Sequence, residues 1–412
     1  MKKSYKYLIM GGGVAGTTAV QTLRQGETDA SIALVTDEPY PFYSRLLLSK
    51  PNFFLGKVPF ENIWLRKENW YQENRIEFFP GKTSLVLDPV KKMVGFSDGS
   101  EFSYQKLLLA IGSRANRWPN PDAQKKGVYY LRTLDDAKFI MEAVKTAHRA
   151  ILIGGGFVGF EMCEMVRMAG LPATLLVREN FFWDFLWDAT SGHMLEAALE
   201  RGGVKIFTKA TVKKFLGGEA VSGVELDDGT QLLADLVIIG IGVNYPIDWL
   251  ESSGLKTSRG ILANEHLETN LPDVWTAGDV AEYYDPIICE QVMMGNWVNA
   301  QEHGRTAANN MLGQKRPFRF VSFYTTQGLG ISIAFVGDVR PEPDREVIYR
   351  GGEELNFYAR LLVKNDRLVG ATMINRTAEL GAISKLIEKN INISDKVVAL
   401  GDPAFDLKTL IV

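Results

Sequence analysis

The sequence predicts an α/β protein in which one Rossmann-like domain plan is used twice and a small α+β domain follows. Three observations predict it. The first is a pair of matching stretches, "YLIMGGGVAG" (7–16) and "AILIGGGFVG" (150–159), each reading as a short apolar strand, a glycine turn and the start of a helix. The second is that the match extends beyond the glycines. "DGSEFSYQKLLLAIG" (98–112) lies over "DGTQLLADLVIIGIG" (228–242) without a gap. Each copy reads as an Asp-Gly hairpin turn, a polar–apolar strand and a buried strand ending in Ile-Gly. The third is a change of pattern near residue 321. "FYARLLVKNDRLVGATMI" reads as a hairpin turning at Asn-Asp, and "AELGAISKLIEKN" as an amphipathic helix with Leu380, Ile383, Leu386 and Ile387 on one face.

The first glycine set is Gly11, Gly13 and Gly16, spaced GxGxxG. The first glycine permits a tight turn, the second lets the backbone approach a pyrophosphate, and the third lets helix and strand pack closely. The helix N-terminus then presents N–H groups to the phosphates. The next strand, "SIALVTDE" (31–38), ends in Asp37, placed to accept hydrogen bonds from an adenosine ribose. The second set is Gly154, Gly156 and Gly159, with "ATLLV" as its second strand. Two dinucleotide cradles in one chain imply two dinucleotides, and the economical pairing is a flavin with a nicotinamide. "RANRWPNPDAQ" (114–124) is a Pro- and Asn-rich crossing between the copies, and "LETNLPDVWTAGDVAEYY" (267–284) returns to the first before the helix "WVNAQEHGRTAANNML". The expected domains are therefore a discontinuous first domain (1–115 and 244–320), a second at 116–243 and a third at 321–412.

Composition narrows the function classes. The chain has 412 residues, 46% hydrophobic and 23% charged, with a net charge of −3, so nothing points to nucleic acid. No apolar run approaches the roughly 18 residues of a membrane helix. The opening "MKKSYKYLIMGGG" has too short an apolar core for a signal peptide and reads as the first strand. The two cysteines, Cys163 and Cys289, form no CxxC pair, which fits a reducing cytoplasm, and Cys163 reads as a packing residue. His148, His193, His266 and His303 are scattered, and no metal site is expected.

On "GGGVAG", "LLLAIG", "GGGFVGFE", "GIGVNYP" and "TAGDVA", the chain resembles the FAD- and NAD(P)-dependent pyridine nucleotide oxidoreductases over essentially its whole length. "PFYSRLLLSK" (41–50) is similar to the ferredoxin and rubredoxin reductase branch. Where the disulfide-reductase branches carry redox cysteines, Ser49 and Lys50 stand, which implies that electrons leave the flavin directly. The resemblance implies that Gly11, Gly13, Ala15 and Gly16 hold the FAD pyrophosphate, and that Asp37 meets the adenosine ribose. Arg45 and Lys50 would reach the phosphates and the isoalloxazine, and Asp279 the ribityl chain. Ser84, Ala110, Gly112, Arg132, Gly278 and Trp297 match further FAD-contact positions. Gly154, Gly156, Phe157, Val158, Gly159, Arg178 and Gly242 would hold the nicotinamide nucleotide. Lys50 and Glu161 would pair as the catalytic residues beside the flavin N5. Some positions depart from the branch: Leu46 and Leu47 replace a proline pair, Gly295 an acid before the tryptophan, and Ile111 a threonine. "SFYTTQG" puts Tyr324 in place of a tryptophan.

At the end of the second strand of the second copy, Val177 takes the place of an acid and Arg178 follows. The arginine suits a 2′-phosphate, while Gly159 suits NADH, so the donor is NADPH or NADH. The expected activity is electron transfer from NAD(P)H through FAD to a small iron–sulfur carrier, a ferredoxin or rubredoxin. An NAD(P)H oxidase or quinone reductase is the alternative enzyme. A redox-sensing flavoprotein acting through a partner is the alternative of another class. The oligomeric state is open.

Overall fold

Strands buried on both faces read as unbroken apolar runs, and each glycine turn follows such a strand at the middle of a parallel sheet. The computed structural model describes residues 2–411, which divide into two units: residues 2–44, Ile63–Arg114 and Tyr245–Phe323; and Arg45–Asn62, Ala115–Asn244 and residues 324–411.

In the first unit Lys2–Met10 lies parallel between Ile32–Val35 and Glu101–Leu109, with Tyr7 opposite Ile32 and Lys106. Ile76–Phe79 extends one side of the sheet, and Met93–Phe96 and Ser84–Asp88 extend the other as an antiparallel meander. Val274–Thr276 joins Glu101–Leu109 in parallel, so the returning segment does add to the first sheet. Leu8, Met10, Val35, Leu107, Leu109 and Val274 form the heart of the core. The helix Val14–Gly26 packs on the helix Trp297–Met311. Gly304 makes that crossing possible, because a Cβ there would lie 2.1 Å from the carbonyl oxygen of Ala15.

In the second unit five parallel strands run in the order Val204–Phe207, Ala173–Leu176, Ala150–Ile153, Leu236–Ile239, Val128–Tyr130. The C-terminal part is a five-stranded sheet with edge strands Phe323–Gly328 and Glu346–Gly352. Its hairpin turns at Asn365 and Asp366, both with positive φ (49° and 57°), as a two-residue turn of matching twist requires. The helix Leu380–Glu388 buries Ile383, Leu386 and Ile387, while Leu380 is half-buried.

Two expectations change. The duplicated 15-residue stretch forms two strands only in its second copy. In the first it is the single nine-residue strand Glu101–Leu109. In the second it breaks between Gln231–Leu233 and Leu236–Ile239 at Asp235, whose carboxylate accepts the backbone N–H groups of His148 and Arg149 at 2.9 Å. That side chain takes up donors ahead of the strand Ala150–Ile153 and separates the meander from the parallel sheet. Residues 45–62 were expected with the first domain and instead group with the second unit. There the turn Arg45–Ser49 and the helix Pro51–Phe54 pack on the helix Phe157–Met168. Among the described residues no helix is long and apolar enough to cross a membrane.

Candidate functional site

The first cradle is built by what its glycines lack. Gly11 has φ of 117°, and a Cβ there would sit 2.0 Å from the carbonyl oxygen of Ala110. A Cβ on Gly16 would meet the Gly11 oxygen at 1.9 Å. Gly13 is different: a Cβ there would have nothing within 4 Å. The helix that follows has no side-chain cap and no acid in its first turn, so its leading N–H groups are left for an anion. Beside it lies a cavity of about 240 Å³ lined by Gly11, Asp37, Lys82, Ser84, Arg114 and Trp249 among others. Asp37 takes Arg114 at 3.3 Å, and Lys82 pairs with Asp98. The fit to a dinucleotide is good: an open second glycine, an uncapped helix and a cavity lined by both apolar and polar side chains, with Asp37 and Asp248 as its acids.

The other residues expected at this cradle divide between the units. Ala15, Gly278 and Asp279 meet in the first: a Cβ on Gly278 would lie 3.2 Å from Ala15 Cβ, and Asp279 accepts the Ser113 hydroxyl at 2.9 Å. Ala110 donates to the Met10 carbonyl at 2.7 Å, and Gly112 holds a φ of 66°. Trp297 stacks on Phe42 at 5.7 Å between centroids. Arg45 and Arg132 belong to the second unit, where the Arg45 guanidinium donates to the Arg132 carbonyl at 3.0 Å. Sequence reasoning passed over His303. It is fully buried, its Nδ1 accepts the Gly278 N–H at 3.2 Å, and burial pushes its imidazole down to about 3. A histidine that stays neutral at physiological pH thus anchors the turn that carries Asp279.

The second cradle repeats the first. Gly154 has φ of 116° and its Cβ would strike the Gly240 oxygen at 2.2 Å; that of Gly159 would strike the Gly154 oxygen at 2.1 Å; that of Gly156 would meet nothing within 4 Å. The helix Phe157–Met168 is likewise uncapped. Val158 packs under Gly240, and Gly242, with φ of 90°, accepts the Asn116 N–H at 3.0 Å. Phe157, at the helix start, keeps 37% of its surface exposed and meets the Tyr324 ring edge-on at 4.8 Å. Val177 is buried, whereas Arg178 is 81% exposed and its Nε donates to Glu179 at 2.8 Å.

One turn into that helix is Glu161, only 6% exposed. A buried carboxylate without partners would cost several kcal/mol. This one has four donors. Lys50 Nζ lies 2.5 Å from Oε1, Thr326 Oγ1 at 2.8 Å and the Tyr324 hydroxyl at 3.1 Å from the same oxygen, while the Ser49 hydroxyl donates to Oε2. Burial, then the charge of Glu161, hold the Tyr324 phenol well above its ordinary value, so it stays a donor. The sequence reading paired Lys50 with Glu161 but assigned no role to Ser49 or Thr326. The cluster contains no thiol, and both cysteines are free, Cys163 buried and Cys289 exposed. An ammonium and three hydroxyls on one carboxylate can hold a charge arrangement at a reacting centre, but cannot exchange electrons themselves.

Residues 5–304 match the family described as Pyridine nucleotide-disulphide oxidoreductase, and residues 322–411 match the family described as Reductase C-terminal. The chain is 30% identical over 388 residues to the 3-phenylpropionate/cinnamic acid dioxygenase ferredoxin–NAD(+) reductase component of Photorhabdus laumondii, covering 93% of this chain and 96% of the relative. It is 27% identical over 392 residues to the nitrite reductase [NAD(P)H] of Bacillus subtilis, covering 94% of this chain but only 48% of the relative, so it spans about half of that protein's length. Among solved structures, the covalent putidaredoxin reductase–putidaredoxin complex matches with a TM-score of 0.92 at 27% identity, covering 99% of this chain and 98% of that one.

Proposed function

The chain belongs to the pyridine nucleotide-disulphide oxidoreductase family and is a ferredoxin/rubredoxin–NAD(P)+ reductase-like oxidoreductase, and from that premise we propose that it passes electrons from NAD(P)H through FAD to a small iron–sulfur protein. The observation that carries the proposal is the Glu161 cluster: a buried carboxylate holding the Lys50 ammonium, with Ser49 rather than a thiol on its other oxygen. FAD, when bound, supplies the conversion between two electrons taken up together and single electrons released.

The residues of this chain do the rest. Gly11, Gly13, Ala15 and Gly16 would leave room and N–H groups for the FAD pyrophosphate, Asp37 and Ser84, which line the cavity beside them, would hold its adenosine, and Asp279 its ribityl chain. Gly154, Gly156, Phe157, Val158, Gly159 and Gly242 serve the nicotinamide nucleotide in the same way. Lys50 balances negative charge as it develops, and Glu161 keeps that ammonium in place. At the adenosine end of the nicotinamide nucleotide two side chains compete: Arg178 offers a guanidinium to the 2′-phosphate of NADPH, and Glu179 offers an acceptor to the 2′-hydroxyl of NADH. The lack of paired cysteines fits work in a reducing cytoplasm.

The test is anaerobic and aerobic turnover of the purified flavoprotein with NADPH and NADH. A plant- or vertebrate-type [2Fe–2S] ferredoxin, a rubredoxin and a quinone are offered in turn. Carrier-dependent turnover well above the rate with oxygen alone is the expected result. Fast consumption of oxygen or quinone with no carrier effect would move the activity to an oxidase or quinone reductase. A long-lived reduced state with no acceptor would make it a redox sensor.

A further inference from the structure

We propose that Thr326 and Tyr324 are positioning residues that fix the Glu161 carboxylate in one orientation and thereby keep Lys50 on a single oxygen. The proposal rests on the reading that the Lys50–Glu161 pair organises hydride transfer. Side chains alternate along a strand, so Tyr324 and Thr326, two apart on Phe323–Gly328, share a face, while Thr325 between them is exposed. Their shared face meets Glu161, 163 and 165 residues away in sequence. An ionised carboxylate offers about four lone-pair sites, all acceptors. Here three donors crowd Oε1 and one occupies Oε2. The two oxygens of a carboxylate are equivalent, so a half-turn restores the same arrangement, but a quarter-turn would carry Oε1 away from its three donors and Oε2 away from Ser49. The donors from the strand are neutral, so they orient the carboxylate without altering the one-to-one charge balance with Lys50. Thr326 is the sharper of the two: it is 5% exposed and its hydrogen bond is the shorter.

The test uses the FAD-loaded protein and two readouts. One is the infrared carboxylate stretch of Glu161, assigned by its loss in Glu161→Gln. The other is the limiting rate and the nucleotide dissociation constant of anaerobic reduction by NAD(P)H. Thr326→Val keeps the shape and removes the hydroxyl. It should shift the carboxylate band and slow reduction about ten-fold, the scale of one hydrogen bond to a charged group, with nucleotide affinity unchanged. Thr326→Ser should restore both, and Thr325→Val, on the opposite face, should disturb neither. Should Thr326→Val fail to fold, Tyr324→Phe, a single-oxygen change, carries the same expectation. An unshifted band in the folded variants, or a Thr326→Ser protein as slow as Thr326→Val, would overturn the proposal. If Glu161→Gln itself leaves reduction at the wild-type rate, the pair is not the reaction centre and the functional reading fails there. The band would still report whether the strand orients the carboxylate.

Discussion

At the scale of single residues, the sharpest question is which nicotinamide nucleotide the second cradle takes, and it turns on Arg178 and Glu179. The two side chains bind each other at 2.8 Å, and Arg178 is otherwise in water. Arg178 is exposed whereas Glu179 keeps 20% of its side chain in water, so the guanidinium is the partner that can be given up to a ligand at small cost. A guanidinium that grips a 2′-phosphate contributes on the order of 1.5–3 kcal/mol, which is roughly 10- to 100-fold in affinity. Arg178→Ala should therefore raise the NADPH dissociation constant by about that factor and leave NADH nearly unchanged. Val177→Glu combined with Arg178→Ala should reverse the preference, because a carboxylate accepts the ribose hydroxyl and repels the phosphate. The measurement is kcat/KM for both nucleotides on wild type and both variants. Kinetics with NADPH and NADH both unchanged from wild type after Arg178→Ala would show that Arg178 is a solvated surface charge.

At the scale of elements, the glycine sets show what a sequence can and cannot reveal. The strand–turn–helix units were legible because each glycine answers a local steric demand that leaves a mark at fixed spacing: Gly11 and Gly154 against a neighbouring strand end, Gly16 and Gly159 against their own turn. Gly304 answers an equally strict demand with no such mark, because the atom it must avoid is the Ala15 carbonyl of a helix 289 residues earlier. The Lys50–Glu161 pair was reachable only through family resemblance, and the Tyr324–Thr326 face was not reachable at all. "FYTTQG" reads as any edge strand, and its partner is on another element. The broken second copy of the duplicated strand was equally hidden, since Asp235 acts through backbone groups that the local pattern does not display. The helix crossing yields a direct test. Gly304→Ala places a methyl carbon 2.1 Å from a backbone oxygen, so the helices Val14–Gly26 and Trp297–Met311 must move apart. Overpacking of this kind costs about 1–3 kcal/mol. Because Ala15 and Gly278 sit in the same contact, the variant should lose both several degrees of Tm and part of its bound FAD. A normal melt with full flavin would show that the crossing has slack.

At the scale of the whole molecule, the proposed function has two cradles of the same construction serve different nucleotides, and their glycines allow that assignment to be tested. Alanine at Gly11 or Gly154 would collide with a backbone oxygen in a left-handed conformation, so such variants report on folding rather than binding. Gly13 and Gly156 are the informative positions. Their φ values, −75° and −117°, suit any residue, and a Cβ at either meets no protein atom within 4 Å. A methyl group there leaves the fold alone and occupies the space through which a pyrophosphate approaches the helix N-terminus. Gly156→Ala should therefore purify yellow, with wild-type flavin content and melting temperature, yet be reduced by NAD(P)H far more slowly and at much higher nucleotide concentration. Dithionite should still bleach it at the normal rate. Gly13→Ala should show the converse: little retained FAD, but unchanged binding of NAD(P)H as read by the fluorescence of the nucleotide. Flavin content by absorbance, nucleotide titration by fluorescence and a thermal melt on both variants decide the matter. If Gly156→Ala loses flavin, or Gly13→Ala keeps it and loses nicotinamide binding, the assignment of FAD to the N-terminal cradle and NAD(P)H to the second is reversed.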